Sequence, residues 1–293
     1  MLKKIPLQWW VAIALTALLA ISTYSSEPPK AIPPAPSQGS PAVVTPAPPP
    51  DSTSDRLTPT ASLTAQVIEK PKHPQPLLDY SFIQPNCGIP IPYQGSGPIP
   101  KEESAPAHPS NYGPRYQTDA DGRFLSNQLL IVLHETVGTA SSAIHTFKTP
   151  HHRDRDQVSY HQLIRRNGAI VNIVPLEWRA FGAGNSVFRG PWGDETAKTS
   201  ANLPPSVNNF AYHISLESPP DNGGSAATHK GYTDAQYESL AWLIARSCLS
   251  DRRVTTHKAV DRSGSRRDPR SFDGQKLLRL LNQYPERYGA ALP

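Results

Sequence analysis

The chain has 293 residues, a formal net charge of +5 and only two cysteines, Cys87 and Cys248. Two cysteines are too few for a disulfide-stapled scaffold, and their spacing fits no zinc knuckle or redox motif; in an oxidising compartment they pair, and otherwise they stand as two separate thiols. The positive excess suits an anionic partner. No Lys/Arg run with interleaved aromatics is present, so no nucleic-acid partner is expected.

Composition divides the chain before any motif does. Of its 33 prolines, 21 lie between Glu27 and Ser110, where apolar runs are too sparse to offset the entropy of ordering a chain. Periodic apolar patterns begin near Leu125 and continue to about Tyr284, a length suited to one hydrophobic core.

In chain order, residues 1–26 read as an export signal. Lys3 and Lys4 precede an apolar stretch from Trp9 to Ile21, with Ala20 and Ser22 placed as an A-x-S cleavage site. Cleaved, it is a signal peptide; retained, residues 7–24 are long enough to anchor the chain in the inner membrane. With the lysines inside, either outcome puts the rest of the chain outside the cytoplasm. Residues 27–75 form a Pro-rich disordered linker, extended and semi-rigid. Residues 76–124 mix apolar side chains with Pro and Gly and are expected as an irregular arm packed on the domain at 125–293.

Within that domain, Leu129–Leu133 is a continuous apolar run, the pattern of a strand buried on both faces. Residues 160–166 and 169–174, flanking Asn167-Gly168, predict a hairpin with a type I′ turn. From Phe210 to Glu217 apolar and polar positions alternate, with His213, Ser215 and Glu217 on one face. Thr233 and Gln236 form a capping-box signature. The helix it opens carries Tyr237, Leu240, Ala241, Ile244 and Cys248 at helical spacing. A last helix is expected over residues 273–284. Strands mixed with helices predict an α/β class with a mixed central β-sheet flanked by helices.

Ten histidines are spread along the chain, so position must separate them. His134 directly follows a buried strand, at the end where α/β sheets place ligands. His257 and Asp268, with His134, would supply two imidazoles and a carboxylate, a zinc set with a fourth position left for water; spacing alone does not single out this trio.

The ordered segments Leu133-His-Glu-Thr136, Val158-Ser-Tyr-His161 with Arg165-Arg-Asn-Gly168, Ile214-Ser-Leu-Glu217, and Thr256-His257 with Arg266-Arg-Asp-Pro269 resemble the zinc-dependent N-acetylmuramoyl-L-alanine amidases. This is the amidase-2 group that includes the peptidoglycan recognition proteins. The resemblance spans about residues 128–282. It implies Zn2+ held by His134, His257 and Asp268, and Glu217 as the base that takes a proton from water. It also implies Tyr160 near the metal and Arg266 where many relatives carry a lysine. It implies hydrolysis of the amide between N-acetylmuramic acid and L-alanine, with peptidoglycan as partner. Arginine can stabilise an oxyanion but does not deliver a proton at neutral pH, so this departure bears on mechanism; Arg267 would serve if the loop shifts by one residue. A second departure is Phe181-Gly182, where relatives often have a histidine. Trp178, Phe181, Phe188 and Trp192, around the long loop 182–209, are candidate stacking surfaces for glycan or stem peptide. A non-catalytic peptidoglycan-binding module of the same fold is the alternative, and an anchored structural envelope protein a third reading; a filled ligand set discriminates against both.

Overall fold

A computed structural model describes residues 90–220 and 226–285. The export signal at 1–26, the linker at 27–75, the first part of the arm and Cys87 lie outside the described residues. Among the described residues no helix is long and apolar enough to cross a membrane, and Cys248 is disulfide-bonded.

A six-stranded mixed sheet forms the centre. Its strands are β1 (Glu102–Ser104), β3 (Leu130–Glu135), β4 (Gln162–Ile164), β5 (Ile170–Asn172), β9 (Ala211–Leu216) and β10 (Val254–Thr256). Their spatial order is β1-β5-β4-β9-β3-β10. The β4–β5 pair is antiparallel and the other pairs are parallel. Two small antiparallel ribbons lie apart from it, β2 (Tyr112–Pro114) with β6 (Trp178–Ala180) and β7 (Phe188–Gly190) with β8 (Gly193–Glu195). The helices are α1 (Ala140–Lys148), α2 (Asp234–Ser247), the short α3 (His257–Val260) and α4 (Gly274–Leu281).

The expected buried strand is β3, and all six of its residues are buried. Because side chains alternate along a strand, Ile131 and Leu133 face one side. There they pack with Tyr212, Ile214 and Leu216 of β9, Tyr237 and Leu240 of α2, and Leu277 and Leu281 of α4. Leu130 and Val132 face the other side, against Val207, Phe210 and Val260. Each such fully buried aliphatic contributes roughly 1.5–3 kcal/mol, which makes β3 the spine of the domain. His134 continues the second face and Glu135 the first.

The capping box is present in both halves. Thr233 Oγ1 accepts from Gln236 N at 3.2 Å, and Gln236 Oε1 accepts from Thr233 N at 3.1 Å. The Gln236 amide also donates to the carbonyls of Ile164 and Glu217, so the start of α2 is sewn to the ends of β4 and β9. α4 begins where Asp273 caps it, accepting from Lys276 N at 2.9 Å, and is shorter than the 273–284 expected.

Two expectations are corrected and one element was missed. The hairpin turn is not type I′: only Gly168 has positive φ, 85°. Gly168 N donates to Arg165 O and Arg165 N to Ala169 O, both at 2.8 Å, the three-residue loop in which a type I turn is followed by a left-handed glycine. The arm supplies sheet: β1 pairs with β5 at the edge, Glu102 opposite Ile170. α1 was not anticipated, because it is short and its serines and threonine are weak helix formers; Thr139 caps it, accepting from Ser142 N at 3.1 Å.

Arg115 is fully buried just after β2. Its guanidinium donates to the carbonyls of Leu176 (3.0 Å), Asn209 (2.9 Å) and Ala211 (2.9 Å), satisfying backbone acceptors that lead into and begin β9 and one on the segment before β6. Arg115→Met should therefore lower stability by about 3 kcal/mol or more, read as a loss of midpoint in urea unfolding.

Candidate functional site

The site forms where three parallel strands end. β10 runs beside β3 with Thr256 opposite Leu133, and β9 runs on its other side with Ser215 opposite His134. His134 therefore ends its strand next to the start of α3, where Thr256 is the N-cap and His257 the first helical residue. The chain then loops out and returns: Lys258 N donates to Asp268 O at 2.9 Å, and Asp261 holds the excursion by accepting from Ser263 N and Arg266 N, each at 3.0 Å.

The consequence is a cluster of three ligand-type side chains. Asp268 Oδ2 lies 3.2 Å from His134 Nδ1 and 3.0 Å from His257 Nδ1, and all three ligand atoms lie within 4.8 Å of one another. His134 is 0 % exposed, His257 6 % and Asp268 9 %. Burial pushes the His134 imidazole down to about 4 against the opposing pull of Asp268. Burial alone would raise the Asp268 carboxyl, but its contacts with the two imidazoles outweigh that and hold it well below the carboxylate range. A buried imidazole held below its ordinary range and an ionised carboxylate, with the second imidazole turned to the same point, suit what a divalent cation requires of its ligands. The cluster can hold a metal ion.

Tyr160 lies against the cluster, its ring stacked on His134 with centroids 4.3 Å apart. Burial first, then the charge of Asp268, raises its hydroxyl above the ordinary tyrosine value, so it stays protonated and can only donate or accept a hydrogen bond. The Arg266 side chain is exposed, and its positive charge reaches both His134 and Tyr160.

Glu217 sits one residue past β9. Its Oε1 accepts from Ala140 N at 2.8 Å and its Oε2 from Arg166 N at 3.0 Å. The carboxylate thus ties the start of α1 and the hairpin turn to the end of β9; none of its hydrogen bonds reaches the three-residue cluster.

The remaining histidines and aromatics fall as follows. His213 and His161 are buried beside His134, whereas His145 and His152 are not. Among the aromatics, Phe188 is 8 % exposed and belongs to the core, which corrects its reading as a stacking surface; Trp178 is 38 % and Trp192 95 % exposed.

One element escaped sequence reading altogether. Glu135 accepts from Arg270 Nε at 2.6 Å, from Ser218 Oγ at 2.9 Å and from His229 Nε2 at 2.9 Å. It is next to His134, and Arg270 is two residues past Asp268. The buried pair therefore clamps the two ligand-bearing segments together. A hint was available, since a charged residue on the apolar face of a buried strand demands a partner, but nothing local identifies which.

Two outcomes follow. Arg270→Met leaves a buried carboxylate without its cation and should cost about 3–5 kcal/mol in chemical unfolding. The second concerns pH. The imidazoles of His134, His161 and His213 are all lowered, chiefly by burial. Below the ordinary histidine pKa of about 6.5 the unfolded chain takes up protons that the folded chain does not, so stability falls as pH drops. With a chelator present, unfolding free energy should decline from about pH 6.5 toward 4, and His161→Gln should flatten that slope.

Comparison with known proteins places this geometry. Residues 126–271, which contain all three ligand-type residues, match the Amidase_2 family, described as N-acetylmuramoyl-L-alanine amidase. The chain is 31 % identical over 129 residues to the 1,6-anhydro-N-acetylmuramyl-L-alanine amidase AmpD of Citrobacter freundii. That match spans 43 % of this chain and 58 % of the relative's length. Among solved structures, an AmpD derivative aligns at 24 % identity and a TM-score of 0.43, over 66 % of this chain and 99 % of that one. The amidase AmiD from E. coli, in complex with anhydro-N-acetylmuramic acid-L-Ala-D-gamma-Glu-L-Lys, aligns at 23 % identity and 0.40, over 56 % and 65 %.

Proposed function

We propose that this chain, whose residues 126–271 match the Amidase_2 family, is a member of that family and a zinc-dependent amidase that hydrolyses the bond between N-acetylmuramic acid and L-alanine in peptidoglycan. The observation that carries the reading is the convergence of His134, His257 and Asp268 inside the matched region. The name of the Citrobacter relative supplies the substrate class, a muramyl group joined by an amide to L-alanine. An export signal at residues 1–26, cleaved or retained as an anchor, and the reach of a Pro-rich linker at 27–75 accord with a substrate outside the cytoplasm.

The donor set fits zinc. Two imidazole nitrogens and one carboxylate oxygen leave a coordination position open, the pattern of catalytic rather than structural zinc. When bound there, zinc supplies a Lewis acid for the amide carbonyl and lowers the pKa of water.

The chain's own residues supply the rest. Tyr160, protonated and stacked on His134, donates to the carbonyl oxygen as negative charge develops on it. Arg266 adds a permanent positive charge at the exposed side of the site; it stabilises that charge but cannot release a proton. In this reading Glu217 receives the proton from the attacking water and returns it to the leaving amine. Its two backbone hydrogen bonds use two of about four lone-pair sites on the carboxylate and leave two to accept from water.

The test is zinc content and release of stem peptides from purified peptidoglycan. One zinc per chain is expected, with release abolished by a chelator, restored by Zn2+ and absent in His134→Ala. Glu217→Gln should keep its metal and lose about 10²–10⁴-fold in release. An unchanged rate in Glu217→Gln would remove it from the base role. A protein without zinc that binds muramyl peptides and releases nothing would replace the amidase with a recognition module.

A further inference from the structure

Behind His134 stands a second imidazole that the mechanism above does not use. His213 is 0 % exposed, and its Nδ1 lies 2.9 Å from His134 Nε2. We propose that His213 is a positioning residue that sets the tautomer of His134, turning the Nδ1 lone pair toward the metal, and that Gly182 is the space that admits it. The proposal deepens the amidase reading and rests on it only for the identity of the ion.

The argument begins at a backbone group. Ala183 N–H points at the side-chain oxygen of Asn208, 2.9 Å away. A backbone N–H can only donate, so the Asn208 atom it meets is the amide oxygen. His213 Nε2 lies 3.0 Å from the same oxygen and must carry a hydrogen to approach it. A neutral imidazole carries one hydrogen, which leaves His213 Nδ1 as an acceptor. His134 Nε2, 2.9 Å from that acceptor, must then be the donor. His134 is left with a bare lone pair on Nδ1, the atom that faces Asp268 Oδ2 at 3.2 Å.

The contacts of His213 fit a neutral ring. It lies between the His134 and His161 rings, and its two ring nitrogens face His134 and Asn208 rather than a carboxylate. A proton added to His213 would place a cation there without a carboxylate in contact. The ring is also held from behind: His161 Nδ1 accepts from His213 N at 2.9 Å, and His161 Nε2 donates to Trp178 O at 3.1 Å. Outer partners of this kind fix the orientation of a ligand histidine and strengthen its metal binding.

Gly182 completes the device for a steric reason. A Cβ at residue 182 would lie 2.6 Å from both Cγ and Nδ1 of His213. No side chain can occupy position 182 while His213 keeps its ring there. The φ of Gly182 is not among the positive ones, so space rather than backbone conformation calls for glycine. Phe181-Gly182, noted in the sequence as a departure from relatives, thereby acquires a partner on β9.

Two measurements on the purified full chain test this, both independent of turnover. In metal-free protein with ¹⁵N-labelled histidine, long-range ¹H–¹⁵N spectra should show His134 protonated on Nε2. Zinc affinity, by competition with a chromogenic chelator, should weaken about 10–100-fold in His213→Leu. His213→Asn, whose side-chain oxygen can stand near the position of Nδ1, should recover most of the loss. Gly182→Ala should weaken zinc similarly while keeping every imidazole. His134 protonated on Nδ1 in the wild type overturns the proposal, as does a His213→Leu zinc affinity within about twofold of wild type. A wild type that binds no zinc refutes the amidase reading instead, and the metal-free tautomer still decides the role of His213.

Discussion

The buried pair between Glu135 and Arg270 is the interaction on which the arrangement of the site depends. Taking two charges out of water costs several kcal/mol each, and attraction recovers this only when every remaining hydrogen-bonding site is filled. Here it is recovered: Arg270 reaches Glu135 through its backbone N and its guanidinium, while Ser218, His229 and Tyr232 take up the other carboxylate oxygen. Because one partner adjoins His134 and the other follows Asp268 by two residues, the same contact brings two ligand side chains together. Parallel pairing of β10 with β3 then delivers His257.

Around that clamp, backbone groups rather than side-chain pairs dictate orientation. Glu217 is held by the amides of Ala140 and Arg166, Asn208 by the amide of Ala183, and the loop carrying Arg266 by Asp261. Amides in a folded core move little, so each fixes the side chain it touches. Four imidazole rings lie side by side here, from His257 through His134 and His213 to His161, and the His134–His213 pair is joined by a hydrogen bond between ring nitrogens. One polar atom beside this run has no partner, the buried hydroxyl of Ser215, opposite His134 in the sheet register.

The two departures noted in the sequence have different physical weight. Arg266 exchanges a side chain that can lose a proton for one that cannot, which shifts any proton delivery to another group. Gly182 is a packing exchange, because the volume it gives up is filled by the imidazole of His213. The first bears on chemistry at the substrate, and the second on the geometry of a ligand from behind.

Local pattern by itself determined a good deal: the apolar run that becomes β3, the alternation that puts His213 and Ser215 on one face of β9, and the capping box that starts α2. These are short-range effects of side-chain period and of unsatisfied amides at a helix end, so neighbouring residues suffice to read them. The family resemblance pointed to His134, His257 and Asp268, which spacing alone did not. Tertiary structure decided the rest. It turned residues 102–104 of the arm into an edge strand, made Phe188 a core residue and put a left-handed glycine in a three-residue loop. It committed the oxygens of Glu217 to two distant amides and brought Glu135 to Arg270. Each of those outcomes depends on which groups lose their water together, and that is settled only when segments far apart in the chain pack against one another.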